Sequence, residues 1–419
     1  MELGLSNDKN FEIKLFDDLR NKKEYHTNEV ISALRIGIEL KKKSINNAFL
    51  ASMQSGKTRT IKFLCNYILP KINLLNEEDS ILFLTSMRDT DLKEQNIRAL
   101  EGYESNIFVM PMHKFRSTGL AEIKKYNVKL IIRDEDQYGC GKESTFDLGF
   151  FSGVRDLVTD MPLLSVSATP FDIIDAKNKG LKVNITYGLR HQNYFGISEM
   201  LENKMIRNLP MDYEHFKVQD DKSIISKPIQ KSILHLNKFE SGIGIIRCCD
   251  TQQAVKLKEQ FKSLDQKGYE TIIIGCKKNI TDYSIKEGLS ILSRKMRVEK
   301  KRIILLVIHA LSAGKDLRKL KEKVRFVIET RKTQLANCVQ GLPGRICGYH
   351  ENRDILIYAN KKILKHYSSF EKNPETFNDE EWIDELFFDT KVKTLSTQTR
   401  LLASNQEGYF TPIDSTIEI

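Results

Sequence analysis

Ala51-Ser52-Met53-Gln54-Ser55-Gly56-Lys57-Thr58 places a cation and a hydroxyl directly behind a glycine. That arrangement can hold a polyphosphate, because backbone N–H groups of a tight turn and of a helix start converge on the phosphate oxygens. Lys57 would reach the β- and γ-phosphates, and the Thr58 hydroxyl would bind Mg2+. The first glycine usual in such a loop is Ala51 here, and the spacing is intact. Further along, Asp134-Glu135-Asp136-Gln137 sets carboxylates behind the apolar pair Ile131-Ile132. Asp134 would hold Mg2+, and Glu135 would orient and deprotonate an attacking water. Loop and acids in this order predict a chain that binds and hydrolyses ATP, with ATP and Mg2+ as its ligands.

A bare Gly-Lys-Thr occurs by chance, so the elements around it decide. Asn47 to Ala51 is a short apolar run and reads as a buried strand. Thr60 to Leu69 carries apolar residues at helical spacing and stops at Pro70. The loop therefore joins a strand to a helix, as phosphate binding requires. Ser80–Thr85, Asn106–Met110, Val128–Arg133 and Leu163–Ser167 continue the series of buried strands, separated by helical stretches. Such alternation predicts a parallel sheet covered on both faces. A second series follows at 242–247, 271–274, 302–308, 324–328 and 354–358, with a helix near 252–264. The expected fold class is α/β with two tandem domains, each a parallel sheet flanked by helices. Its divisions are a first domain over 1–175, a polar connecting region over 176–239, a second domain over 240–360 and a C-terminal extension over 361–419.

Bulk properties narrow the class. The 419 residues suggest two or three domains at roughly 100–200 residues each. With 40% hydrophobic and 29% charged residues, most of the length should fold. No apolar run is long enough to span a bilayer, and no signal-peptide pattern opens the chain, so an intracellular protein with no membrane partner is expected. Seven scattered cysteines, an odd number without Cys-x-x-Cys, argue against a disulfide framework or zinc ribbon and for small buried side chains. The net charge of +10 favours a polyanionic partner.

These ordered motifs resemble those of superfamily 2 helicases over about residues 20–360. Gln54-Ser55-Gly56-Lys57-Thr58 looks like motif I, Thr85-Ser86-Met87-Arg88 sits where motif Ia belongs, and Asp134-Glu135-Asp136-Gln137 looks like motif II. Ser167-Ala168-Thr169-Pro170 closely matches motif III. Ser312-Ala313-Gly314-Lys315-Asp316 resembles motif V, and Gln340 with Gly344-Arg345 resembles motif VI. The resemblance implies two RecA-like domains facing each other across ATP. It implies that Ser167, Thr169 and Gln340 couple nucleotide state to domain movement, that Gly314 and Asp316 sense the nucleotide, and that Gln137 and Arg345 join the catalytic set. Arg345 would be the arginine finger. Motif VI departs from its pattern: Gln340 lies one residue too far from Gly344, Pro343 intervenes, and the second arginine position falls on Gly348. Arg345 acts alone, or Arg331 or Arg353 substitutes. Upstream, Tyr25-His26 lies where a base-reading Tyr-Gln is often found.

A nucleic-acid strand held mainly through its phosphates would meet residues after strands that do not hold ATP. Arg88, His113, Lys114, Arg247 and Lys277 with Lys278 are the candidates. Asp134-Glu135-Asp136-Gln137 differs from the Asp-Glu-Ala-Asp common in RNA helicases, which favours DNA, with RNA the alternative. A clamp without motor activity is a further alternative, kept open by the altered motif VI. A viral packaging motor fits less well, because a second α/β block stands where its nuclease would be. The extension carries the acidic, aromatic stretch 379–388, which reads as a helix packed on the second domain or as a docking element for a protein partner.

Overall fold

The computed structural model describes residues 25–42, 46–76, 78–85, 106–134, 161–169, 183–209, 216–219, 222–265, 268–275, 301–308, 317–331 and 335–377, with a few isolated positions between them. The chain divides into two compact units, Met1–Gln192 and Asn193–Ile419.

In the first unit, α1 (Thr27–Lys41) precedes β1 (Asn46–Leu50), and α2 (Lys57–Phe63) runs into a single π-turn, Leu64–Ile68. Then come β2 (Ser80–Thr85), β3 (Asn106–Pro111), α3 (Met112–Lys125), β4 (Val128–Asp134), β5 (Leu163–Ser167) and β6 (Asn184–Tyr187). The strands form one parallel sheet in the order β3-β2-β4-β5-β1-β6. Every residue of β2 and of β5 is buried, as apolar runs covered on both faces should be. Side chains alternate across the sheet. Phe49, Ile81, Phe83, Leu130, Ile132, Leu164 and Val166 pack with α1 and α2 on one face. Leu82, Leu84, Ile131 and Leu163 pack with Ile123 of α3 on the other.

The second unit contains α4 (Ile197–Glu202), β7 (Ile206–Asn208), the antiparallel pair β8 (Phe216–Gln219) and β9 (Lys222–Ile225), and α5 (Lys227–Leu236). It continues with β10 (Gly242–Cys248), α6 (Thr251–Asp265), β11 (Tyr269–Ile274), β12 (Arg302–Ile308), a 3-10 turn (Arg318–Lys323) and β13 (Val324–Ile328). The last elements are α7 (Leu335–Gln340), α8 (Leu342–Ile346), β14 (Leu356–Ala359) and α9 (Lys361–Lys372). Its parallel sheet has the order β11-β12-β10-β13-β14-β7. Gly244 of β10 lets Phe326 lie flat on the sheet, since a Cβ there would stand 2.0 Å from the ring.

The polar stretch 176–239 supplies β6 to the first sheet and β7 to the second. In the extension, α9 packs on α4 through buried Glu371, which accepts from the Ser198 N–H at 2.9 Å and its hydroxyl at 3.0 Å. Residues 379–388 lie outside the described residues. Among the described cysteines Cys65, Cys248, Cys338 and Cys347 are buried and Cys249 is exposed. Burial pushes the Cys65 thiol up to about 12, as expected of a cysteine used for packing. Among the described residues no helix is long and apolar enough to cross a membrane, and no group of three or more His, Cys, Asp or Glu residues could hold a metal ion.

Candidate nucleotide site

The tips of β1, β4 and β5 lie side by side in the first sheet. Leu50 is in register with Ser167, and Asp134 with Val166. The loop after β1 is tied to β5 by a hydrogen bond from the Ala51 N–H to the Ser167 carbonyl at 3.1 Å. Beyond it the backbone turns twice into the left-handed region, at Gln54 (φ 52°) and Gly56 (φ 100°). Ser55 closes the turn, its N–H and hydroxyl both donating to the Ser52 carbonyl, at 3.3 and 2.8 Å. Helix α2 starts at Lys57, whose Nζ donates to the Ser52 carbonyl at 3.4 Å. Gly56 is required here for two reasons. A side chain disfavours this φ, and a Cβ would sit 2.5 Å from a Glu29 carboxylate oxygen.

Glu29 was not singled out from the sequence. It lies in the first turn of α1, is 4% exposed, and accepts from the His26 N–H at 3.0 Å. Its other oxygen pairs with Arg59 of α2 at 3.1 Å. Desolvation raises its pKa above 4.5, and the His26 N–H and Arg59 pull it partly back. The spacing His26-x-x-Glu29 is a helix-start signal, but its contact with the phosphate loop is tertiary. Beside it Tyr25 packs edge-on against Phe63 at 4.8 Å, and the His26 ring faces His191 at 5.3 Å.

Asp134 ends β4, and the strand alternation that sends Leu130 and Ile132 toward α2 sends Asp134 to the same face. That is the face on which Lys57 and Thr58 begin their helix. A curled loop with two left-handed residues, a glycine that admits no Cβ, a lysine, a hydroxyl and a carboxylate on one face fit a nucleotide polyphosphate with its Mg2+. Ser167 and Thr169 are buried and bonded together: the Ser167 hydroxyl donates to the Thr169 carbonyl at 2.9 Å and accepts its N–H at 3.1 Å. This closed turn sits between the loop after β1 and the tip of β4. Glu135 and Gln137 lie outside the described residues, as do Arg88, Gly314, Asp316 and Lys277. The side chain of His113 is likewise not described; Lys114, on α3, is exposed.

The second unit places its residues differently from the expectation. Arg247, expected at a nucleic-acid surface, is 3% exposed and pairs with Glu329 at 2.8 Å. Glu329 is fully buried, and its carboxylate also accepts from the N–H groups of Arg331 at 3.1 Å and Leu342 at 2.8 Å. Leu342 opens α8, the helix that carries Arg345. Arg247 therefore holds the strand tips together and offers no surface charge. The irregular spacing of Gln340 and Arg345 has a local cause: α7 ends at Gln340, the chain breaks at Gly341, and α8 restarts with Pro343 in its first turn. Arg345 is 3% exposed, and its Nε donates back to the Gln340 carbonyl at 3.1 Å. Arg353 lies over the Phe195 ring at 3.9 Å and donates to the His350 carbonyl.

Neither a family model nor a curated protein sequence matches the chain. Solved structures do. One is the ATP-dependent type ISP restriction-modification enzyme LlaBIII bound to DNA, with a TM-score of 0.54 and 11% identity, covering 90% of this chain and 32% of that one. The fold is two tandem RecA-like domains. This chain thus spans about a third of the length of that enzyme. Saccharomyces cerevisiae Dbp5 bound to RNA and ADP BeF3 matches at 15% identity with a TM-score of 0.46, over 93% of this chain and 98% of that one. The Escherichia coli DEAH/RHA helicase HrpB matches at 13% identity with a TM-score of 0.47, over 78% and 42%. At these identities the likeness is one of fold, and the chemistry must be argued from the residues.

Proposed function

We propose that the chain is an ATP-dependent helicase or translocase acting on nucleic acid, DNA being the favoured substrate. One observation carries the reading: the loop of Gly56, Lys57 and Thr58, the carboxylate of Asp134 and the Ser167-Ala168-Thr169 turn share one rim of a RecA-like sheet. Backbone bonding and strand register tie the three together.

In this reading the loop N–H groups and Lys57 hold the phosphates, with Gln54 and Ser55 shaping the turn. Thr58 and Asp134 would hold Mg2+, which would supply charge neutralisation at the phosphates. Glu135 takes the proton of the attacking water. The new P–O bond forms at the γ-phosphorus, and the bond to the bridging oxygen breaks to leave ADP. Ser167 and Thr169, locked in one turn, relay a change at the loop to the rest of the unit, and domain movement follows turnover. The DNA-bound state of the LlaBIII enzyme and the non-Asp-Glu-Ala-Asp box support DNA. RNA is the alternative. A protein partner for the extension belongs to the same proposal.

A second reading has an observation behind it. Arg345 is buried and bonded to the Gln340 carbonyl at the end of α7, which favours a nucleotide-dependent clamp without a working arginine finger. Steady-state ATP turnover against single-stranded, duplex and forked DNA and against RNA separates the two. A motor on DNA shows turnover raised at least about tenfold by one of the DNA forms. Turnover that no nucleic acid changes overturns the motor and leaves the clamp; stimulation by RNA alone overturns the DNA assignment.

A further inference from the structure

At the tip of β2, one place away from Asp134, a hydroxyl is buried without a partner. Thr85 is 0% exposed, and its Oγ1 has no hydrogen-bond partner among the described residues. Burial of an unbonded hydroxyl disfavours folding, and valine has the same shape without the hydroxyl. The unbonded hydroxyl therefore calls for a use in another state of the protein.

The register shows where that use lies. Thr85 and Asp134 are direct partners at the ends of adjacent parallel strands. Ile81 and Phe83 point to the face of α1 and α2, so Thr85, two positions on, points there too; Leu130 and Ile132 do the same for Asp134. Hydroxyl and carboxylate leave the sheet side by side, on the face where Lys57 and Thr58 begin α2. A carboxylate that gives one oxygen to a divalent ion keeps a second oxygen that needs a donor, and such supporting donors set the affinity for the ion.

We propose that Thr85 is a positioning residue for Asp134, its hydroxyl donating to the carboxylate oxygen turned away from Mg2+. The inference rests on the nucleotide-site reading of Asp134. It assigns to the end of β2 a role in holding the ion, while the residues that follow it are the ones expected at nucleic acid.

Two variants test it in the full chain. Thr85→Val removes only the hydroxyl. Without nucleotide and with EDTA its midpoint of thermal unfolding should equal or exceed that of the wild type, by up to about 2–4 °C. Titration calorimetry with ADP at a series of Mg2+ concentrations should show its Mg2+ requirement raised about tenfold, with ADP affinity in EDTA unchanged. Thr85→Ser keeps the donor and should keep the wild-type Mg2+ requirement. A Thr85→Val protein with the wild-type Mg2+ requirement overturns the inference alone. So does one that unfolds well below the wild type without ligand, since the hydroxyl would then be serving the fold. A wild-type protein whose ADP binding ignores Mg2+ overturns the site reading and this inference with it.

Discussion

The two sheets share one architecture but finish their strands in opposite ways. In the first, the residues at the tips hold backbone, and the groups suited to chemistry stay at least partly open: Lys57, Thr58 and Asp134 are all intermediate in exposure. In the second, the comparable polar groups hold one another. Arg247, Glu329, Gln340 and Arg345 are each no more than 3% exposed. The first rim is the one proposed to receive a charged ligand, whereas the second is arranged to keep two short helices, α7 and α8, fixed on the ends of β10 and β13. A charged side chain at a strand end is thus partly open in one case and an internal brace in the other.

The largest expected effect breaks the first rim. Lys57→Ala should lower ATP turnover by about 100-fold or more, on the scale seen when a main transition-state cation or donor is removed. The far-ultraviolet circular dichroism should stay that of the wild type, because Lys57 is only half-buried at the start of α2 and its ammonium donates to the Ser52 carbonyl at a long 3.4 Å. Retained turnover would end the assignment of this loop to ATP.

The second rim should break by unfolding. Glu329→Ala leaves the Arg247 guanidinium buried without its carboxylate and leaves the Leu342 N–H without its acceptor. The cost should be about 3–5 kcal/mol, read from urea unfolding. Replacing Arg247 and Glu329 together by Met and Leu should recover much of that loss. If Arg247 were instead a phosphate contact, Arg247→Ala would leave stability alone and change the salt dependence of nucleic-acid binding.

How much of this could be read in advance follows from where each signal resides. Strands β1 to β5 and β10 to β13 announce themselves as apolar runs, since a sheet covered on both faces tolerates little else. Strands β6 and β7 do not: Asn184–Tyr187 has one buried residue in four, and Ile206–Asn208 has one in three. The phosphate loop was legible because its residues are contiguous. The role of Arg247 was not, because its partner Glu329 lies 82 residues away. The local marks of Thr85 and Glu29, a likeness to motif Ia and a helix-start spacing, do not point to Asp134 or to the phosphate loop. What distinguishes them is burial beside the loop or beside Asp134, and burial is a property of the folded sheet.

Gly56→Ala sharpens the comparison on the loop itself. The positive φ and the 2.5 Å approach to Glu29 act together, so the variant should lose about 1–3 kcal/mol of stability and bind ADP more weakly. Combining it with Glu29→Ala relieves the collision but leaves the φ strain. The pair should therefore recover only part of the ADP affinity. Full recovery would mean that the left-handed turn contributes nothing to holding phosphate.

The smallest effect concerns Glu29, a buried acid beside the open rim. Desolvation lifts the Glu29 pKa above 4.5, so between 4.5 and its folded value the native chain holds a proton that the unfolded chain has released. Its contribution to stability is therefore full below pH 4.5 and is lost as pH rises through the folded value. Glu329 of the second rim shows the other design, a buried carboxylate met by a guanidinium and two N–H groups. Glu29→Gln keeps an oxygen to accept the His26 N–H but does not titrate. The stability of the wild type relative to this variant should fall between pH 4.5 and pH 7, measured as the difference in urea midpoints. A difference that stays flat, or that rises with pH, would show that Arg59 and the His26 N–H outweigh desolvation, making the acid of the first rim as well matched as that of the second.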